Sequence, residues 1–110
     1  MQFAIAIPTD AESWQVVRRA EELGFARAWF YDTQMLSADP FVAMAAAAVK
    51  TTRIRLGTGV LIPSNRIAPV AANAFASLNK LAPGDYTLKL KITDKNRNQV
   101  LTPSAKFTVT

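Results

Sequence analysis

The sequence predicts an α/β protein in which three β-α units with parallel strands are followed by a C-terminal antiparallel β-hairpin. Three observations carry this expectation. Short apolar runs beginning near residues 3, 26 and 53 alternate with helical patterns, the order that produces parallel strands joined by crossovers. Gly and Pro punctuate the boundaries between these runs. From Asp85 onward the pattern changes to strict apolar/polar alternation, the period of a half-buried strand.

Taken in order, "FAIAI" (3–7) is a short apolar run stopped by Pro8 and reads as a buried strand. "TDAESW" supplies a helix start with Asp10 as N-cap and Glu12 in the first turn. Trp14, Val17, Ala20 and the Leu23 region recur at helical spacing, and Arg18, Arg19, Glu21 and Glu22 are expected to face solvent. Gly24 sits where a helix ends in a left-handed residue. "ARAWFYD" (26–32) reads as a second strand, with Trp29, Phe30 and Tyr31 expected in the core along with Trp14 and Phe75. Asp39–Pro40 forms an N-cap followed by proline at the first helical position, opening the alanine-rich "FVAMAAAAVK". "RIRLGTGVL" (53–61) is the third strand; its two glycines suggest a bulge or a close backbone approach. "APVAANAFASLNKL" (68–81) is the third helix. The unit spacing suits a β/α barrel or a doubly wound sheet.

Residues 85–110 follow a different rule. Tyr86, Leu88, Leu90 and Ile92 share one face and Thr87, Lys89, Lys91 and Thr93 the other. "DKNRN" (94–98) is a turn-rich connection, and Ala105, Phe107 and Val109 alternate on a return strand.

Composition restricts the chemistry. The 110 residues contain neither cysteine nor histidine, which excludes disulfides, thiolate sites and the commonest general base and metal ligand. The serines therefore lack a histidine to activate them, and no hydrolase triad is possible within the chain. Asp10, Glu12 and Asp39 are better placed as helix-start residues than as metal ligands. The net charge of +5 is dispersed and lacks interleaved aromatics, so no nucleic-acid partner is expected. "MQFAIAI" has no basic leader and "FVAMAAAAV" is too short to span a bilayer; no membrane association and a cytoplasmic or recombinant soluble setting are expected.

"GFARAWFYDTQ", "TTRIRLGTGVLIPSNR" and "AANAFASLNKLAPG" together resemble the N-terminal part of the luciferase-like monooxygenases, flavin- or F420-dependent oxidoreductases on a (β/α)8 barrel. The resemblance covers residues 1–84 and implies a partial (β/α)8 barrel. It implies that Gly59 and Val60 form a bulge backing the flavin or deazaflavin ring, often through a non-proline cis peptide, and that Asp32 lies in the cofactor and substrate pocket. The chain departs from that pattern at Thr33, where many F420-dependent members carry histidine, at Asn79, and after Gly84, where the later phosphate-binding loops are absent. "LAPGDYTLKLKITDKNRNQV…AKFTV" resembles the last two strands of bacterial immunoglobulin-like sandwich domains and carries no catalytic motif.

On the residues alone, Asp32 is either a pocket residue or a strand-end carboxylate. Gly57 and Gly59 either admit a planar ring or relieve strand packing. Arg66 is either an anion contact or a solvated loop residue. Gly84 reads as the seam of a chimera, engineered or recombined, with 1–84 and 85–110 as its parts in one folded unit; the alternative is a divergent natural β/α protein with a hairpin. The leading functional expectation is a folded chimera without a complete active site, without a bound cofactor, and associating into a homo-oligomer, with strand exchange as one route. The runner-up is a minimal FMN- or F420-dependent oxidoreductase using Asp32, Gly59 and Val60. An adhesive module is the third reading, suggested by the hairpin alone.

Overall fold

A computed structural model describes residues 1–81 throughout and, beyond them, the strands at 84–89, 92–94, 99–101 and 104–109. Three β-α units come first: β1 (Ala4–Ile7), α1 (Ser13–Glu22), β2 (Arg27–Phe30), α2 (Pro40–Lys50), β3 (Arg55–Thr58) and α3 (Ala68–Leu81). A single 3-10 turn, Pro63–Asn65, lies between β3 and α3. The strands form one parallel sheet in the order β1-β2-β3, with Ile5 opposite Ala28 and Ala28 opposite Leu56. This is the predicted architecture, and the third helix keeps its expected limits. The strands are shorter than expected because ladder pairing, rather than apolarity, sets their ends.

Register decides which side of the sheet becomes core. Alternate residues of a strand point to opposite faces. Ile7, Ala28 and Phe30 are buried, and with Val17, Ala20, Ala43, Met44, Ala47 and Ile54 they form one cluster. Helix α2 packs against both α1 and α3, and its buried Ala43, Ala47 and Ala48 let the helix approach β2 and β3 closely. Phe30 and Met44 are completely enclosed, each contributing about 1.5–3 kcal/mol relative to exposure. Phe41 meets Phe75 edge-on at 4.8 Å between centroids, joining α2 to α3.

The opposite face corrects one expectation. Trp29 and Tyr31 are not core; they are 37% and 39% exposed. Both lie out of phase with Phe30, so the register that buries Phe30 turns them to the uncovered side. Trp14 and Phe75 pack partly buried against the cluster.

Local signals are borne out unevenly. Asp39 caps α2 as expected, its Oδ1 accepting from the Phe41 and Val42 amides at 2.8 and 3.2 Å with Pro40 at the first position. Gly24 follows the end of α1 with φ +91°. Asp10, however, is not the N-cap of α1; Glu12 is. Asp10 instead heads the preceding turn, where its carboxylate accepts from the Glu12 amide and its own amide donates to Ser13 Oγ, both at 2.8 Å.

Glu21 is the larger surprise. Rather than lying on a solvated face, its carboxylate accepts from the backbone amides of Thr52, Arg53 and Ile54, the last two at 2.6 and 2.7 Å. Arg53 Nη2 returns a 2.6 Å bond to the Glu21 carbonyl. Arg18 and Arg19 pair with Glu22 instead. Partial burial alone would raise the Glu21 carboxyl, but the Ile54, Arg53 and Thr52 amides and the Arg53 charge together outweigh it and hold the group below its ordinary value. This clamp ties the end of α1 to the loop entering β3.

The alternating C-terminal segment forms antiparallel strands, as predicted. β4 (Gly84–Lys89) pairs with β7 (Ser104–Val109), and β5 (Ile92–Asp94) with β6 (Gln99–Leu101). Both ladders keep one register, the pattern of a single hairpin. Among the described residues no ladder joins it to β1 or β3. The expected turn at 94–98 lies, beyond Asp94, outside the described residues.

Candidate functional site

The residues just beyond the C-terminal ends of the three strands meet on one side of the molecule. Past β1, buried Thr9 donates from Oγ1 to the Tyr31 carbonyl at 2.6 Å, and its own carbonyl accepts from the Ala38 amide at 2.9 Å. Past β3, the Gly59 amide continues the ladder to the Phe30 carbonyl at 2.8 Å. The peptide bond between Gly59 and Val60 is cis, and Val60 is 73% exposed.

Asp32 stands beyond β2, 7% exposed. Its Oδ2 accepts from the Ile62 amide at 2.8 Å and from Arg66 Nη1 at 3.3 Å. Arg66 Nη2 reaches Asp39 Oδ2, and the guanidinium stacks over the Phe41 ring at 4.9 Å. One arginine thus joins the end of β2, the start of α2 and the loop leaving β3. Beside it opens a cavity of about 550 Å³ whose polar lining includes Asp32, Ser37, Asp39, Asn65 and Arg66.

The geometry bears on the readings that the sequence left open. Asp32 is a strand-end carboxylate that also lines a cavity. Arg66 is mostly enclosed rather than solvated; its side chain is 15% exposed, and among the described residues it pairs with enclosed Asp32 and with half-exposed Asp39. The Asp32–Arg66 contact bridges residues far apart in the chain, and its only sequence signal is a strand-end aspartate preceding a loop arginine. Gly57 and Gly59 do admit a planar ring, but it is the chain's own. A Cβ on Gly57 would lie 2.5 Å from Trp29 Cζ3, and one on Gly59 would lie 3.1 Å from Trp29 Cβ.

These residues fit a nucleotide-like redox cofactor poorly. Val60 is exposed beyond β3. Among the described residues, however, the cavity sets two carboxylates against one arginine that is already paired, which leaves no free cation in its lining for a phosphate. Such a lining supports no reaction step through a phosphate-bearing cofactor. Among the described residues no group of three acidic side chains could hold a metal, and no helix is long and apolar enough to cross a membrane.

The profile of the luciferase-like monooxygenases matches residues 6–90, running past Gly84. A 5,10-methylenetetrahydromethanopterin reductase of Methanolobus tindarius is 35% identical over 71 residues, 64% of this chain and 22% of that protein. An F420-dependent glucose-6-phosphate dehydrogenase of Beutenbergia cavernae is 54% identical over 46 residues, 41% of this chain and 14% of that protein. The solved coenzyme F420-dependent tetrahydromethanopterin reductase of Methanopyrus kandleri superposes with a TM-score of 0.64 at 26% identity, covering 74% of this chain and 24% of that one. The chain spans less than a quarter of the length of each.

Proposed function

Because the chain belongs to the luciferase-like monooxygenase family, we propose that its 110 residues carry the family's opening β/α scaffold without a complete active site, and turn over no substrate on their own. The observation that carries this reading is the cavity beside Asp32. Among the described residues its one arginine is occupied by Asp32 and Asp39, which leaves no free cation in the lining for an anion. A ligand site needs convergent polar groups that remain free for the ligand. The relatives named F420-dependent extend far beyond the portion matched by this chain.

Within this reading, the change of pattern at Gly84 marks the seam of a chimera whose 85–110 segment derives from an immunoglobulin-like hairpin. Among the described residues the sheet edges at β1 and β3 have no ladder partner, which favours association between copies. The second reading is a minimal F420- or FMN-binding oxidoreductase. It is favoured by Val60, exposed after its cis bond to Gly59, with Asp32, Gly59 and Val60 as the contacts.

Titration of the purified protein with F420 and with FMN, followed by cofactor fluorescence alongside light scattering, tests both. The expected result is an associated protein that binds neither cofactor at high micromolar concentration. Saturable binding that is lost on Gly59→Val or Asp32→Ala would establish the second reading instead, and a monodisperse monomer would remove the association.

A further inference from the structure

The loop entering β3 turns its backbone donors onto a single oxygen. Glu21 Oε2 accepts from the Thr52, Arg53 and Ile54 amides at 3.1, 2.6 and 2.7 Å, while Oε1 meets the Thr52 amide at 3.2 Å. Convergence of backbone N–H groups on one oxygen at such distances is the geometry of an oxyanion hole. Successive amides directed this way form a concavity for an anion, whatever side chains they carry. The positive charge beside the concavity is Arg53, whose Nη2 bonds the Glu21 carbonyl at 2.6 Å. Arg18 and Arg19, on the same helix as Glu21, pair with Glu22 instead. Ile54 is buried, whereas Thr52 and Arg53 are exposed, so the concavity has an inner wall and an approach from solvent. All of these contacts lie between α1 and the loop after α2, apart from the open sheet edges and from the Asp32 cavity.

We propose that the Thr52–Ile54 amides form a binding cup for a small carboxylate, with Glu21 as its tethered ligand, and that free formate takes the cup when that side chain is removed. The tether explains why the chain fills its own site: an intramolecular carboxylate is present at a far higher effective concentration than any free anion. Charge and shape together select the ligand class. The donors are all N–H groups, which favour an ionised acceptor over a neutral one, and they meet two oxygens of a flat carboxyl group. Glu21→Gly clears the carboxyl group and the two carbons that carry it, which leaves room for formate and too little for a branched acid. If Glu21 were merely a surface charge near Arg53, any anion would replace it equally well. The proposal is independent of cofactor binding, because the cup lies at the entrance of β3 and not at its exit.

The test is urea denaturation of Glu21→Gly, Glu21→Gln and the parent chain in sodium formate, sodium pivalate, sodium chloride and chloride with formamide, all at one ionic strength. The substitution should lower the midpoint, and formate should return part of the loss, with a rise that follows the logarithm of formate concentration above its dissociation constant. Pivalate, chloride and formamide should not. The parent and Glu21→Gln, whose side chains still fill the cup, should respond to formate no more than to chloride. In the folded glycine variant, formate should shift the amide resonances of Thr52, Arg53 and Ile54 most. If that variant is unfolded in chloride, recovery of its circular dichroism in formate alone is the same result. Equal effects of formate with chloride or pivalate, an equal response of the parent, resonance shifts centred elsewhere, or no recovery by formate would overturn the proposal.

Discussion

The two ends of the parallel sheet are held by the same device used in opposite ways. At the entrance to β3, Glu21 gathers three consecutive backbone amides and is joined by Arg53, whose guanidinium bonds the Glu21 carbonyl. At the exits, Asp32 takes a single backbone amide, Ile62, and leans on an arginine shared with Asp39. The first arrangement uses a carboxylate to close a loop. The second leaves carboxylates lining an open cavity. In β/α barrels the strand exits carry chemistry and the entrances carry stability; here the entrance carboxylate is taken up by backbone amides and the exit carboxylates line a cavity.

Breaking the exit cluster should have the largest effect. Arg66→Ala leaves Asp32 almost fully enclosed with its charge unpaired, and loses the packing on Phe41. It should cost about 3 kcal/mol, read as a lower urea midpoint, and should release the Ile62 amide to faster hydrogen exchange than the Thr52–Ile54 amides. Equal release at both ends would mean that the two loops are one cooperative unit.

The entrance clamp should rank second. Glu21→Ala removes charge-assisted bonds to three amides and should cost about 2 kcal/mol. Its pH dependence sharpens the contrast. The folded carboxyl of Glu21 titrates below its unfolded value, so its contribution is fully present above the ordinary carboxylate range. Acidification protonates the unfolded chain first, and the contribution disappears as pH falls through the folded value. Urea midpoints measured from neutral pH downward should therefore fall less steeply in Glu21→Gln than in the parent chain; parallel slopes would remove Glu21 as the source.

The smallest effect belongs to Asp39, which serves both a helix start and the exit cluster. Asp39→Ala should cost about 1 kcal/mol through the lost cap, while Asp39→Ser should recover most of it. Recovery by serine would assign the Arg66 contact a minor share; failure to recover would transfer weight from the cap to the ion pair.

Much of this is legible in the sequence alone. The Asp39–Pro40 helix start, the left-handed Gly24, the span of α3 and the antiparallel character of 85–110 all follow from signals within a few residues. The exit cluster is half legible. Asp32 stands at a strand end and the Gly59–Val60 bond is cis, as the residues and their resemblance suggest, but Arg66 reads as a loop residue and Glu21 as a solvated one. Both of those make their bonds to residues some thirty positions distant, and no local pattern records such a contact.

What the sequence determined by itself is the alternation of strands and helices, most of the caps between them and the switch of period after Gly84, because propensity, capping and hydrophobic period act over single turns and strands. What only the tertiary structure decided is which face of β2 is inside and which charges meet. Parallel register turned Phe30 inward and Trp29 outward, laid the indole over Gly57, and paired Arg66 with two carboxylates. Those outcomes depend on how separate strands align, and alignment is settled by packing the whole sheet against its helices.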